Sequence, residues 1–339
     1  MISANSKEKT VLAIMFFAVI VSGCTGGGNS EETSSTMALQ VNEFSAFPNP
    51  TPGDQNTRFR MQVQNVGDSE AVNVSARLYN PPFADDSSDE KTWRDTDSDD
   101  RDISESDRTL HFGSLNEPND QTPSVPGTQT VTFVSPNLSE GRQISYDMNS
   151  YLMYEYNTEA TTEIQIMSGD RYREAGSPSG TATLDNSQGP IQMEIRTPTP
   201  IRFYDVADQD YVTRELCVIV RNQGNGVPFN DVQYEGEDNG DGTGYDIAAV
   251  QSNKSQVNVD IEDIGSVEFR QTDSDDDWGA NQPAQEVEIL NGRGINCWDM
   301  NVSVGSSAQL QRTVPLTLRA DYGYRQSAKT TATVEGRRN

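Results

Sequence analysis

Apolar and polar positions fall into two regimes along the chain. The first is an unbroken apolar run, Val11 to Val21 ("VLAIMFFAVIV"), with Lys7 and Lys9 ahead of it. About a dozen residues matches a signal h-region and falls short of the ~20 that span a bilayer as a helix. From Met37 onward the pattern is short period-two alternation, broken by Gly, Pro, Asn and Asp. No stretch sustains a 3.6-residue apolar period long enough for an amphipathic helix. The pattern therefore predicts an all-β chain of short antiparallel strands packed as sandwiches.

The alternating segments come twice, in the same order. "TRFRMQVQNVGDSEAVNVSARLY" from Thr57 is answered by "TRELCVIVRNQGNGVPFNDVQY" from Thr213, with Asn65 and Gly67 matching Asn222 and Gly224. "VTFVSPNLS" (Val131 to Ser139) is answered by "INCWDMNVS" (Ile295 to Ser303), and "YEYNTEATTEIQI" by "YGYRQSAKTTATV". Such ordered correspondence indicates a duplication with changes in loop length. It predicts two sandwich domains, 37–186 and 187–339, joined through "AGSPSGTATLDNSQGP". Each half carries a polar, acidic insertion, at about 81–127 and 235–292. A strand, an Asn-x-Gly turn and a following strand resemble the immunoglobulin-like CARDB-type modules of archaeal and bacterial surface proteins. The resemblance covers about 25 residues in each half. It implies two tandem immunoglobulin-like sandwiches with an adhesive or scaffolding role, and no reaction.

Ser22, Gly23 and Cys24 close the apolar run. Apolar, small, small, Cys resembles the lipobox of prokaryotic lipoproteins. That resemblance implies a signal peptide over 1–23, cleavage before Cys24 and lipid on the Cys24 thiol and amine. The alternatives are an ordinary secretory signal or an uncleaved anchor helix. "TGGGNSEETSST" follows, without one apolar residue, and residues 24–36 are expected to be a flexible tether.

Composition narrows the partners. The chain has 52 acidic and 25 basic residues and a net charge of −27, which excludes a nucleic-acid binder. Its 12 Tyr, 11 Phe and 3 Trp are enough to fill cores, against disorder. Of the basic residues 20 are Arg and 5 are Lys. An acidic surface poor in Lys resembles proteins of extreme halophiles, where carboxylates hold water and salt screens their repulsion.

Candidate chemistry is sparse. His111, the lone histidine, lies in the alternating "TLHFGSL", and no hydrolase, P-loop or zinc motif accompanies it. "DTDSDD" places Asp95, Asp97 and Asp99 at alternate positions, and "DSDDDW" does so with Asp273, Asp275 and Asp277. Asp241 stands in "EDNGDGTGYD". Alternating oxygens can converge on Ca²⁺. None of the three completes a calcium-loop pattern, and halophilic solvation accounts for them equally. Four sequons, at Asn73, Asn137, Asn253 and Asn301, are candidates for N-glycosylation. Asn137 and Asn301 are expected at matching places in the two halves, just past a strand. Cys217 and Cys297 are an even pair in an exported chain and are expected to form a disulfide, either as sheet neighbours or across the core. Tyr154, Tyr156, Tyr322 and Tyr324 fit a core or tyrosine-corner role better than a carbohydrate platform.

Together these features predict a non-catalytic protein on the outer face of the cytoplasmic membrane. It would be held by lipid at Cys24 and act as a structural, adhesive or scaffolding element toward other surface proteins or glycans. The rival expectation is a solute-binding lipoprotein that feeds a transporter. That architecture needs α/β lobes with long helices, which the alternation does not predict.

Overall fold

The computed structural model describes residues 37–80, 83, 92–96, 103–119, 121–203, 211–235, 244–261, 267–271, 284–303 and 311–337. The chain divides into Met1–Ser34 and Ser35–Asn339, and the fold below is that of the second unit.

The first half supplies β1 (Leu39–Phe47), β2 (Asn56–Asn65), β3 (Ala71–Asn80), β4 (Arg94–Asp95), β5 (Thr109–Leu115), β6 (Gly127–Val134) and β7 (Gln143–Ser168). The second supplies β8 (Ile191–Ile195), β9 (Tyr211–Asn222), β10 (Val227–Phe229), β11 (Gln256–Ile261), β12 (Val267–Gln271), β13 (Gln285–Glu288), β14 (Arg293–Ser303) and β15 (Gln311–Glu335). Two sheets are separate, in the orders β1-β2-β6-β4 and β8-β9-β14-β12. They are equivalent strand for strand. The third sheet runs β13-β11-β15-β7-β3-β5 and belongs to both halves.

The alternation explains the packing. On β2, Phe59, Met61 and Val63 are fully buried while Arg58 and Arg60 face out. Leu216, Val218 and Val220 do the same on β9. Each such side chain contributes roughly 1.5–3 kcal/mol through its removal from water. The inward faces of these three larger sheets meet in one buried cluster that includes residues of both halves.

The two longest strands join the halves. β15 pairs antiparallel with β7 along its whole length, from Gln311 opposite Met167 to Glu335 opposite Gln143. At the middle, Glu155 faces Gly323, Tyr156 faces Tyr322 and Tyr154 faces Tyr324. The stretch joining the halves adds two short paired pieces, the first being Gly180–Thr181 with Pro198–Thr199. Asp185–Asn186 pairs with Ala160 and Thr161, and Leu184 is buried.

The segments expected to be insertions contain framework. The region 81–127 holds β4 and β5, and the region 235–292 holds β11, β12 and β13. The true excursion of the second half interrupts a strand. Register shows that β10 and β11 on β15 together take the place that β3 takes on β7. The chain leaves the sheet after Phe229 and returns at Gln256, clamped where Ser255 N donates to Pro228 O at 2.7 Å. It carries a six-residue helix, Ile247–Ser252, and a satellite core in which Phe229, Tyr245 and Val250 cover Met153. A second six-residue helix, Gly169–Glu174, follows β7. Both are too short to leave a 3.6-residue period in the sequence. Ser168 and Asp246 cap them, each accepting from a backbone N–H of the first turn.

Candidate functional site

The repeated Asn-x-Gly motif builds the junction of the halves. Asn65 Oδ1 accepts from Gly67 N at 3.0 Å and its Nδ2 donates to Ser69 O at 2.7 Å. Asn222 repeats both bonds, from Gly224 N at 3.2 Å and to Gly226 O at 2.9 Å. A tyrosine then locks each turn. Tyr156 Oη accepts from Ser69 N at 2.9 Å, and Tyr324 Oη accepts from Gly226 N at 2.8 Å. A Cβ on Gly67 or Gly224 would stand 2.2 or 2.3 Å from those hydroxyls, so only glycine fits. Burial pushes both phenols up to about 12, and it pushes Tyr154 and Tyr322 well above the usual tyrosine range. The four rings form a buried ladder with neighbouring centroids 5.8–6.3 Å apart. Tyr156 and Tyr324 hold the turns, Tyr322 Oη lies 2.8 Å from Thr158 Oγ1, and all four rings are buried and present no platform to a sugar.

On the opposite face of the same strands lies an open cavity of about 500 Å³, lined by Glu70, Glu155, Phe229, Asp231 and Asp321 among others. Glu155 accepts from Asn73 Nδ2 at 2.9 Å and from Tyr245 Oη at 3.2 Å. Asp321 is paired with Arg319 at 3.0 Å. The lining favours a cationic over an anionic ligand by simple charge.

The two cysteines are joined as Cys217–Cys297, with Cα atoms 4.1 Å apart. They are register partners on β9 and β14. Cys217 N donates to Thr197 Oγ1 and its carbonyl accepts from Arg196 N, both away from β14. The pair is thus a non-hydrogen-bonded one, where antiparallel side chains come closest. Leu216 and Val218 point inward, so the bridge lies on the outer face. Glu215 joins both sulfurs in one cluster, but bridged sulfurs offer no thiolate to a metal.

The sequons divide by environment. Asn137 is exposed in the loop after β6. Asn253 ends the excursion helix and donates to Asp231 O at 3.3 Å. Asn73 sits at a bulge of β3 with φ 55° and holds Glu155, while Ser75 of its sequon is fully buried. Asn301 is 7% exposed in mid-strand. Asn137 and Asn301 do not match after all. Counted back from the matched Asn65 and Asn222 along β2 and β9, Thr213 is the equivalent of Asn56 and not of Thr57; Asn56 faces Val134 and Thr213 faces Asn301, so Val134 is the counterpart of Asn301.

Of the acidic candidates, Asp95 lies on β4 and accepts from Thr96 N at 2.6 Å. Asp97, Asp99, Asp241, Asp273, Asp275 and Asp277 lie outside the described residues, as does Cys24. Asp246, beside the Asp241 cluster, caps a helix instead of facing a metal. His111 Nδ1 is 2.9 Å from Tyr234 Oη, so the lone histidine ties β5 to the excursion of the other half. Sequence reasoning missed an aromatic stack on the outer face. Tyr79 lies on Tyr151 at 4.0 Å between centroids, and the Arg325 guanidinium covers Tyr151 at 4.7 Å. Three separate strands supply these residues, so no spacing in the sequence could reveal them.

No family model and no curated protein matches the chain. Among solved structures, collagen adhesin from S. aureus is similar at 10% identity over 89% of this chain and 94% of that one. Its TM-score of 0.12 is too low to carry an argument about function.

Proposed function

We propose that this protein is a lipid-anchored structural or adhesive element of the cell surface, built from two immunoglobulin-like sandwiches. One observation carries the proposal: the ladder from Gln311/Met167 to Glu335/Gln143 runs unbroken through both halves. At ~3.3 Å per residue such a ladder makes a stiff spine of roughly 80 Å. A solute-binding protein closes by a hinge between lobes, and a shared sheet resists that motion. Stiffness suits a spacer or scaffold that holds loops away from a membrane. The lipobox-like "VSGC" ending at Cys24 supplies the anchor, and the net charge of −27 suits a surface bathed in strong salt.

Fractionation of cells expressing the chain and its Cys24→Ser variant tests the anchor. The parent should sediment with membranes, and the variant should appear in the medium or remain unprocessed. A mature terminus upstream of Cys24 without lipid would overturn it. Pull-down from native membranes in molar salt tests the scaffold role, which requires a surface protein or glycan among the captured material. Release of a small solute and capture of a transporter would favour the rival class.

A further inference from the structure

The four sequons meet four different surroundings, and the attacking atom tells them apart. N-glycosylation uses the side-chain amide nitrogen of Asn as nucleophile and reads a Ser or Thr two residues on. Both side chains must therefore reach a transferase together.

At Asn73 the amide nitrogen donates to Glu155 Oε1 at 2.9 Å, and Ser75 is fully buried. At Asn301 it donates to Glu268 Oε2 at 3.4 Å, and the residue is buried in mid-strand. At Asn253 it donates to Asp231 O at 3.3 Å, and Ser255 N is held on Pro228 O in the clamp that closes the excursion.

The loop after β6 is built the other way. Ser135 is buried and anchors it: its N donates to Gln55 O and its Oγ donates to Pro52 O, both at 2.9 Å. Leu138 is buried and joins the main core. Asn137 and Ser139, on either side of Leu138, are exposed. The backbone beyond is fixed, because Arg142 N donates to Ser139 O at 3.1 Å and Gly336 N donates to Arg142 O at 2.7 Å. These bonds set the loop at the Gln143/Glu335 end of the long ladder.

We propose that Asn137 is the N-glycan acceptor of this chain and that Asn73, Asn253 and Asn301 are not. The proposal rests on the reading of the chain as exported, because the donor is a polyprenyl phosphate-linked oligosaccharide on the outer face of the membrane. In the transfer, Asn137 Nδ2 attacks the anomeric carbon of the first sugar. A C–N bond forms, and the bond from that carbon to the phosphate oxygen breaks. The polyprenyl phosphate leaves with the electron pair, and the amide proton passes to a base of the transferase. The glycan then forms a bulky polar cap at one end of the spine. On Asn301 the same glycan would have to enter a packed sheet, so a chain modified there before folding would not reach this fold.

Peptide mapping by mass spectrometry of the full-length chain, purified from its native cells, tests the assignment. The peptide carrying Asn137 should bear a glycan mass, and those carrying Asn73, Asn253 and Asn301 should be bare. Asn137→Gln and Ser139→Ala should each remove one glycan mass from the intact protein, and Ser139→Thr should keep it. A bare Asn137, or a glycan at any of the other three, overturns the assignment. The amino-terminal peptide of the same sample separates the two readings. Lipid on Cys24 with a bare Asn137 removes the glycan and leaves the export reading standing, whereas an unprocessed terminus with a bare Asn137 removes both.

Discussion

Glu155 and Gly323 face each other at the middle of the longest ladder, and they are the same position of the two repeats. A repeat residue that pairs with its own counterpart marks a local twofold axis. The axis allows different residues on its two sides because the halves cover it differently. Phe229 lies over Gly323, where a Cβ would meet the ring at 2.2 Å. Glu155 instead reaches Asn73 and Tyr245. Gly323→Val should therefore cost about 1–3 kcal/mol through overpacking. Denaturant unfolding should show a lower midpoint with the slope preserved, and an unchanged midpoint would refute the close approach.

The tyrosine corners carry a second expectation. Tyr324→Phe strands the Gly226 N–H and removes a partner of Asn222, at a cost of about 1–3 kcal/mol. Tyr156→Phe strands Ser69 N in the same way and takes from Gln188 O one of its two donors, the other being Asp68 N. Both losses should register as lower melting temperatures, whereas Tyr172→Phe, on the helix Gly169–Glu174, keeps the ring under Arg202 and should leave the melting temperature unmoved.

Alkali should find the same tyrosines. In the folded chain Tyr156 and Tyr324 titrate at about 12, and burial is the main cause. Unfolded tyrosine titrates near ~10. The folded state thus keeps protons that the unfolded state gives up. The contribution is whole below about pH 10 and is lost as pH rises from there through the folded values. Stability should fall steeply between about pH 10 and 12, with phenolate absorbance rising together with unfolding. Free titration of these phenols at pH 10 in a folded protein would contradict the burial.

Removing the bridge should weaken the second half without dissolving it. Closing the 80-residue separation between Cys217 and Cys297 contributes roughly 4 kcal/mol in the chain-entropy model, and often less. Arg60 and Thr130 occupy the matching register in the first half, so the fold does not depend on sulfur there. Cys217→Ala with Cys297→Ala should lower the melting temperature and leave the far-ultraviolet spectrum unchanged. Loss of β structure would show that the bridge is needed for folding.

The sequence alone determined the strand character, the duplication and the Asn-x-Gly turns, because each follows from neighbours along the chain. Alternation at Phe59, Met61 and Val63 reports a half-buried strand wherever that strand goes. The even cysteine pair was legible too, but not its placement. Only the register of β9 against β14 puts Cys217 beside Cys297 on the outer face. Tertiary structure also decided how the halves meet. Tyr154 and Tyr322 read as two copies of one motif, and nothing local says that the copies pair with each other through β7 and β15. The excursion from Asn230 to Ser255 looked like part of one long acidic insertion, because its solvent-facing residues are polar. The strand that resumes at Gln256 is short and mixed, and its Val257, Val259 and Ile261 become core only when β15 and β13 flank it. Local pattern sets what a segment can be. Burial against partners distant in sequence sets which face is inside.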